Sequence, residues 1–334
     1  MAPRIAEQAR LGRTRVHVTR LGLGCAPLGN LFAPVADDDA QAVVAAAWDA
    51  GVRFFDTAPL YGHGLSELRL GRALADRPRA EYAIATKVGR LLVPDPAPPD
   101  LGFVDVPPLR PSFDFSYDAI LRSLEESLVR LGLDRVDVLH LHDPDDHLDE
   151  AIGSAGRALV RLRDEGVVGA IGAGMNAVAP LARLVREVDL DCVLVAGRYT
   201  LLEQPALDDL LPLCEERGVA VIAAGAFNSG VLAAASSAVV PTYDYLPAPP
   251  AVLARALGLR AACERAGVTV EAAALQLPLA HPAVACVLTG TRSADEMGRN
   301  AADFERPIAP RLWQALRDDG LLDARVPTPD GWGA

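Results

Sequence analysis

Apolar residues follow a helical spacing in two long stretches of the chain. In the segment DDDAQAVVAAAWDAG, residues 37–51, apolar side chains recur at intervals of three and four: Ala40, Val43, Val44, Ala47 and Trp48. This spacing places them on one face of a helix, and the three leading aspartates suit the positive end of the helix dipole. Residues 117–131 repeat the spacing. We therefore predict amphipathic helices over both segments.

Short apolar runs of strand length alternate with such helical segments. There are eight of them: LGLGC (21–25), VRFF (52–55), YAIAT (82–86), VDVLHLH (136–142), VVGAIGAG (167–174), CVLVAG (192–197), VAVIAAG (219–225) and ACVLTG (285–290). Runs that are apolar throughout are typical of parallel strands covered by helices, and alternating strands and helices favour an α/β fold. We predict a single (β/α)8 TIM-barrel domain over residues 1–334.

A Gly-Val pair recurs between helical segments and apolar runs. It occurs at Gly51-Val52, Gly166-Val167, Gly218-Val219 and Gly267-Val268. Glycine just past a helix end adopts the left-handed conformation that ends the helix, and β-branched valine favours a strand. Each pair therefore predicts a turn from a helix into a strand.

Two proline-rich segments interrupt this alternation. Residues 90–115 follow the third predicted strand, and residues 241–250 follow the seventh. Long loops in a compact domain are usually lids or binding loops. The segment LGLGCAPLG, by contrast, lacks the third glycine of a dinucleotide-binding fingerprint, so an open dinucleotide-binding sheet is disfavoured.

Composition and charge narrow the class of protein. A net charge of −12 argues against nucleic-acid binding. Residues 219–243 carry no charge, but they are too polar and glycine-broken for a membrane span. Five cysteines without a CxxC pair fit reduced thiols, and the N-terminal residues do not resemble a secretory signal. We expect a cytoplasmic protein that acts on a small molecule; the sequence leaves its oligomeric state open.

Candidate chemistry begins with Lys87, the only lysine among 32 lysine and arginine residues. Biased codon usage could leave one lysine by chance. The alternative is chemical, because the pKa of a lysine can approach neutral pH in a suitable site, whereas arginine stays charged and carries a wider planar head.

The neighbourhood of Lys87 favours the chemical explanation. Asp56, Lys87 and His142 end three consecutive predicted strands, and strands about 4.8 Å apart would bring them within about 10 Å of one another. Tyr61 lies in the loop after Asp56. The pKa of a tyrosine phenol is ordinarily near 10, and a nearby ammonium favours its phenolate form. The sequence therefore predicts a proton-transfer site of Tyr61, Asp56, Lys87 and His142.

Other interpretations of these residues stay open at this point. Alone, the aspartate could cap a helix, and the tyrosine and histidine could be ordinary loop and core residues. His140 and His142 form an HxH pair, but the spacing of the remaining histidines completes no metal site, and His140 is expected one barrel layer deeper. A lysine at a barrel strand end could also form a Schiff base, as in an aldolase, or the chain could be a non-catalytic, redox-sensing subunit.

Several motifs resemble the aldo-keto reductases, in order and over nearly the whole chain. They are FFDTAPLYGHG, IATKVG, VDVLHLHDPD, GAIGAGMN and TGTRSADEMGRN. Tyr61, Asp56, Lys87 and His142 match the four catalytic positions of that family. DTAPLYGHGLSE, HDPDDH, EGVVGAIGAGMN, AGRYTLLEQ and AFNSGVLA resemble more closely the group that contains D-threo-aldose 1-dehydrogenase, L-fucose dehydrogenase and pyridoxal 4-dehydrogenase.

The resemblance implies a bound nicotinamide cofactor, NAD or NADP. The positions that would hold it are Asn176, Phe227, Ser229, Gly290, Arg292, Glu296 and Asn300. Glu296 stands where many NADP-dependent members present an arginine, which favours NAD, whereas Arg292 could receive a phosphate. The chain departs from the family at Met175, Ala196 and Ala224, where many members have serine, glutamine and tyrosine.

The same resemblance implies oxidation of an aldose at C1 to a lactone, with an L-fucose-like or L-galactose-like configuration. The chain is only 5% aromatic, whereas a reductase for apolar aldehydes needs an aromatic pocket. Polar residues near the predicted strand ends could meet sugar hydroxyls: His63, Asp143, Arg198, Tyr199 and Asn228. Phe103, Phe113 and Phe115 could cover an apolar sugar face. Pyridoxal and simple aldehydes are the alternative substrates.

Overall fold

A closed barrel of eight parallel strands forms the centre of the protein in a computed structural model, which describes residues 2–233 and 241–329. The strands are β1 (Leu21–Gly24), β2 (Phe54–Asp56), β3 (Ala83–Val88), β4 (Val138–His142), β5 (Ala170–Met175), β6 (Cys192–Ala196), β7 (Ala220–Ala224) and β8 (Val284–Thr289). They pair in chain order, and β8 closes the barrel against β1. The predicted TIM barrel is confirmed, and each predicted apolar run supplies one strand.

Helices cover the outside of the barrel. They span Asp37–Asp49, Leu65–Leu74, Tyr117–Leu131, Leu148–Glu150, Gly156–Asp164, Val178–Glu187, Leu210–Arg217, Pro250–Arg265, Val270–Gln276, Ala294–Phe304 and Pro310–Asp318, and a π-helical segment spans Ala151–Ala155. Shorter 3-10 turns span Ala26–Gly29, Arg79–Glu81, Asp145–His147, Pro205–Leu207 and Leu277–Ala280. Both predicted helices are confirmed. The apolar face predicted for Asp37–Asp49 is buried, and the side chain of Ser116 caps Tyr117–Leu131.

Side chains fill the inside of the barrel. Phe54, Val138, Ile222 and Cys286 are among its fully buried residues. An N-terminal hairpin, Gln8–Arg10 paired with His17–Thr19, adds Val18 to the same cluster. His140 is fully buried with its Nε2 atom 3.4 Å from Cys192 Sγ, which confirms its expected place inside the barrel. All five cysteines are free and buried.

The four Gly-Val turns share one backbone conformation but lead to different elements. Gly51, Gly166, Gly218 and Gly267 have φ angles of 95°, 73°, 66° and 74°. The first three precede barrel strands, as predicted. Gly267 instead precedes the helix Val270–Gln276, because the Thr269 side chain accepts a hydrogen bond from the Ala272 amide and starts a helix there. The strand predicted after Gly267 is therefore wrong.

Both proline-rich loops contain short antiparallel pairs outside the barrel. Arg90–Pro94 pairs with Leu109–Phe113, and Thr242–Tyr243 pairs with Leu246–Pro247. Proline is tolerated in such edge strands because no neighbour requires its missing N–H group. Within the described part of the chain, no helix is long and apolar enough to cross a membrane. In the charge-free span 219–243, residues 234–240 lie outside the described residues.

Candidate active site

The four predicted site residues meet at the mouth formed by the carboxyl ends of the strands. Asp56 and His142 end β2 and β4, and Lys87 lies near the end of β3. Lys87 Nζ lies 2.6 Å from Asp56 Oδ1, 2.9 Å from the Thr57 carbonyl and 3.1 Å from the Tyr61 hydroxyl oxygen. These three acceptors match the three N–H donors of an ammonium. The ammonium therefore has a defined position and a fixed distance to the phenol.

Close backbone contact between two loops holds Tyr61 over the lysine. A Cβ atom on Gly62 would lie 2.4 Å from the Gly29 carbonyl oxygen, and one on Gly29 would lie 2.5 Å from the Tyr61 carbonyl carbon. Only glycine permits such an approach. The Tyr61 ring then stands edge-on to His142, with 5.7 Å between ring centroids. The imidazole and the ammonium thus both lie close to one phenol.

Burial and charge set the protonation of the site. Burial lowers the pKa of Lys87, but Asp56 and Tyr61 outweigh it and hold that pKa above its usual range. Burial raises the pKa of Tyr61, and Lys87 opposes this only in part. Burial, Arg90 and Lys87 hold the pKa of His142 well below its usual range. The site therefore combines a charged lysine, a neutral histidine and a protonated tyrosine.

An ion pair joins the long loop to the end of β4. Arg90 Nη2 lies 2.6 Å from Asp143 Oδ2, and the same oxygen lies 3.6 Å from His142 Nε2. Asp143, expected to bind substrate, thus already has a charged partner. Arg90 was missed in the sequence, because nothing in its local pattern indicates a partner 53 residues away.

Two of the other residues expected to bind substrate have polar partners within the protein, and two are buried. Arg198 makes two bonds to Asp244, of 3.0 and 2.7 Å, and Asn228 donates to the Gly197 carbonyl. His63 is 1% exposed, and burial lowers its pKa while the Leu109 backbone acts in the opposite direction. Tyr199 is 2% exposed and stands edge-on to His281. Tyr199 is therefore part of the hydrophobic core.

The three phenylalanines of the long loop separate in the structure. Phe103 lies beside Tyr61, with 6.1 Å between ring centroids. Phe113 stacks on Phe115 and lies under the Arg90 guanidinium. Phe115 is 1% exposed and packs against Gly89. Of these three, Phe103 is thus the one whose ring lies beside Tyr61.

The expected cofactor positions lie on loops that follow the strands and on the helix Ala294–Phe304. Asn176 follows β5 and is exposed, Phe227 and Ser229 follow β7, and Gly290 and Arg292 follow β8. Glu296 accepts a 2.8 Å bond from the Arg292 amide, and Asn300 donates to Thr289.

The loop after β8 has features that fit the anionic end of a dinucleotide. Thr291 is 3% exposed, and its hydroxyl has no hydrogen-bond partner among the residues described here. Arg292 beside it is exposed, and the helix Ala294–Phe304 directs its N-terminus to the same place. These donors and this charge suit phosphate or ribose oxygens. In residues 2–233 and 241–329, no three His, Cys, Asp or Glu side chains cluster as a metal site would require.

Two exposed aromatic residues at the mouth were also missed in the sequence. Phe32, after β1, and Tyr245, after β7, lie in contact with 6.0 Å between ring centroids. Both have positive φ angles, of 64° and 66°. No local sequence signal predicts this conformation for an aromatic residue.

The family of this chain follows from comparison with known proteins. The model of the aldo/keto reductase family matches residues 20–318. The chain therefore belongs to the aldo/keto reductase family, as its motifs indicated.

Three curated relatives span nearly the same length as this chain. D-threo-aldose 1-dehydrogenase from a Pseudomonas species is 45% identical over 93% of this chain and 96% of its own. Pyridoxal 4-dehydrogenase from Microbacterium luteolum is 41% identical over 95% and 98%. L-galactose dehydrogenase from Arabidopsis thaliana is 34% identical over 89% and 87%. The protein is therefore an NAD(P)-dependent oxidoreductase.

Proposed function

We propose that this protein oxidises a small aldose at C1 to a lactone, with an L-fucose-like or L-galactose-like configuration preferred. The observation that carries the chemistry is the hydrogen-bonded chain of the buried Asp56 and Lys87 with the half-buried Tyr61, over 2.6 Å and 3.1 Å. Two relatives named as an aldose and a galactose dehydrogenase support the substrate class. The raised pKa of Lys87 disfavours a Schiff-base aldolase, because imine formation needs a neutral amine.

In this proposal Tyr61 transfers the proton. During oxidation it accepts the proton of the C1 hydroxyl, and in the reverse direction it donates the proton to a carbonyl oxygen. Lys87, held by Asp56, stabilises the phenolate that proton acceptance requires. Neutral His142 stands beside Tyr61 and orients the substrate oxygen through a hydrogen bond. The nicotinamide cofactor, when bound, supplies the hydride chemistry.

The cofactor would be held by the loops at the barrel mouth. Asn176 would hold its carboxamide, and Phe227 and Ser229 would cover its pyrophosphate. Gly290, Arg292, Glu296 and Asn300 would surround its adenosine end. The exposed Arg292 and the unpaired Thr291 hydroxyl support this placement.

A second candidate activity is oxidation of pyridoxal. One relative is named pyridoxal 4-dehydrogenase, and aromatic rings line the approach to Tyr61: Phe32, Phe103 and Tyr245. A flat aromatic substrate could stack on such rings. The tetrad of Tyr61, Asp56, Lys87 and His142 could act on either an aldose or pyridoxal. Measured turnover must therefore distinguish the two substrates.

Turnover of four compounds tests the substrate proposal. L-fucose, L-galactose, D-arabinose and pyridoxal are each incubated with NAD and with NADP, and reduced nicotinamide is followed by absorbance. We expect oxidation of at least one of the L-sugars to be fastest, with a lactone as its product. Activity confined to pyridoxal would replace the proposal by the second candidate, and fast reduction of simple aldehydes with no oxidation of any aldose or of pyridoxal would overturn both.

NAD is expected to serve better than NADP. The Glu296 carboxylate lies beside Arg292 at the expected adenosine end, where it would repel a 2′-phosphate. Such repulsion between solvated charges is worth about 1 kcal/mol, so Glu296→Gln should narrow the NAD preference about fivefold. The measurement is kcat/KM with each cofactor. Asp295→Asn, an exposed change in the same helix turn, is the matched control and should leave the preference unchanged. A preference for NADP in the wild type would mean that Arg292 dominates.

A further inference from the structure

The turn after β7 carries an aromatic residue in a strained conformation. Thr242–Tyr243 and Leu246–Pro247 are joined by the two residues Asp244 and Tyr245, with φ angles of 48° and 66°. Two-residue hairpin turns of this kind favour Asn-Gly or Asp-Gly, because both central residues are left-handed. Aspartate suits the first position, but tyrosine in the second stores backbone strain, which is typical of functional sites.

Side-chain contacts hold this strained turn in place. Arg198 makes its two bonds to Asp244, and Tyr243 donates a 2.6 Å bond to Glu203. Thr242 donates to the Ser229 carbonyl, and the Tyr245 amide lies 3.3 Å from Ser229 Oγ. The turn is thus tied to the loops after both β6 and β7. None of these bonds uses the Tyr245 side chain.

A second strained aromatic residue meets Tyr245 across the barrel mouth. Phe32, with a φ angle of 64°, is held by a 2.8 Å bond from its amide to the Gly102 carbonyl. Its ring contacts the Tyr245 ring, although Phe32 and Tyr245 remain 40% and 58% exposed. Because both rings stay largely exposed, they bury little apolar surface. Hydrophobic packing alone therefore does not account for two neighbouring aromatic residues with strained backbones.

Ring and backbone contacts connect the Tyr245–Phe32 pair to the catalytic tyrosine. Leu31, next to Phe32, pairs with Phe103 in an antiparallel bridge, and the Phe103 and Tyr61 ring centroids lie 6.1 Å apart. The Tyr245 ring contacts Phe32, so the pair lies on the approach to Tyr61. Partial burial also raises the pKa of Tyr245; Asp143 and Asp244 act in the same direction, and Lys87 and Arg198 oppose them.

We propose that Tyr245 is a specificity-determining residue that contacts the substrate directly. Its ring, continued by Phe32, forms one wall of the pocket and packs on the C–H face of a sugar ring. Its hydroxyl bonds a ring hydroxyl of the same substrate. This inference rests on the proposed function for the identity of the substrate, but not for the existence of the contact.

Substitutions at Tyr245 separate this role from a structural one. Tyr245→Phe removes one hydrogen bond and should raise KM for the sugar about three- to tenfold, the range that such a bond provides. Tyr245→Gly removes the ring as well and should raise KM further, with kcat changed less than threefold. Because glycine adopts the left-handed conformation without strain, Tyr245→Gly should melt no lower than the wild type. KM for the cofactor should stay within twofold in both variants.

A control variant and the wild-type substrate preference distinguish failure of the Tyr245 contact from failure of the sugar assignment. Tyr117→Phe, at the start of an outer helix, is the matched change and should leave both KM values unaltered. Each KM is measured with whichever of L-fucose, L-galactose, D-arabinose or pyridoxal the wild type turns over fastest. Wild-type preference for pyridoxal would overturn the sugar assignment alone. An unchanged substrate KM in Tyr245→Gly, or an equal rise in cofactor KM, would overturn the contact proposed here.

Discussion

Lys87→Arg is expected to lower kcat on the order of 10²-fold or more while cofactor binding persists. The ammonium of Lys87 gives one donor each to Asp56, Thr57 and Tyr61, over 2.6 to 3.1 Å. A guanidinium is planar and fixes its donors in a fork, so it cannot reproduce three bonds from one point. The lysine is also 1% exposed, and its Cε lies 3.5 Å from where a Cβ on Gly174 would lie. The wider head would therefore displace Tyr61, and general acid-base catalysis would be lost.

The measurements for Lys87→Arg are steady-state turnover, cofactor binding by fluorescence and thermal melting. Arg183→Lys, the reverse exchange on an exposed helix face, is the matched control and should turn over normally. A second variant covers the case in which Lys87→Arg does not fold. It is the double substitution of Lys87→Met and Asp56→Asn. That double change removes both buried charges at once and avoids the cost of leaving one unpaired. Near wild-type turnover in either variant would show that the solitary lysine reflects only codon usage.

Tyr61→Phe is expected to lower kcat on the order of 10²- to 10⁴-fold, the contribution of a positioned general acid-base group. The phenylalanine ring keeps the contacts with His142 and Phe103, so the shape of the site survives. One Lys87 donor loses its acceptor, which costs about 1–3 kcal/mol of stability. KM for the cofactor should change little, because the lost hydroxyl serves proton transfer and not cofactor binding.

The pH dependence of Tyr61→Phe provides a second readout. In the wild type, oxidation should accelerate as pH rises, because the phenolate is the form that accepts a proton and burial raises the pKa of Tyr61. The variant should lose this rise along with its rate. Tyr82→Phe, whose ring packs edge-on between Trp48 and Phe55, is the matched control. Retention of both rate and pH profile in Tyr61→Phe would refute Tyr61 as the proton carrier.

The sequence alone determined the barrel and the convergence of the tetrad. Alternating apolar runs and helical spacings specify parallel strands with covering helices, because burial of an apolar face is a local, periodic property. Once the strands are parallel, residues at the ends of consecutive strands must become neighbours. Asp56, Lys87 and His142 therefore converge for reasons visible in the chain itself.

Only the tertiary structure decided which polar and aromatic side chains are free to meet a ligand. Asp143 and Arg198 occur near strand ends as predicted, but Arg90 and Asp244 from distant loops engage them. Tyr199 has the sequence of a loop residue and yet lies in the core. Tyr245 was not predicted, because its contact with Phe32 depends on a tight turn that an ion pair between Arg198 and Asp244 holds in place. Contacts between loops depend on where the barrel places segments that are distant in sequence. A local sequence pattern therefore cannot predict them.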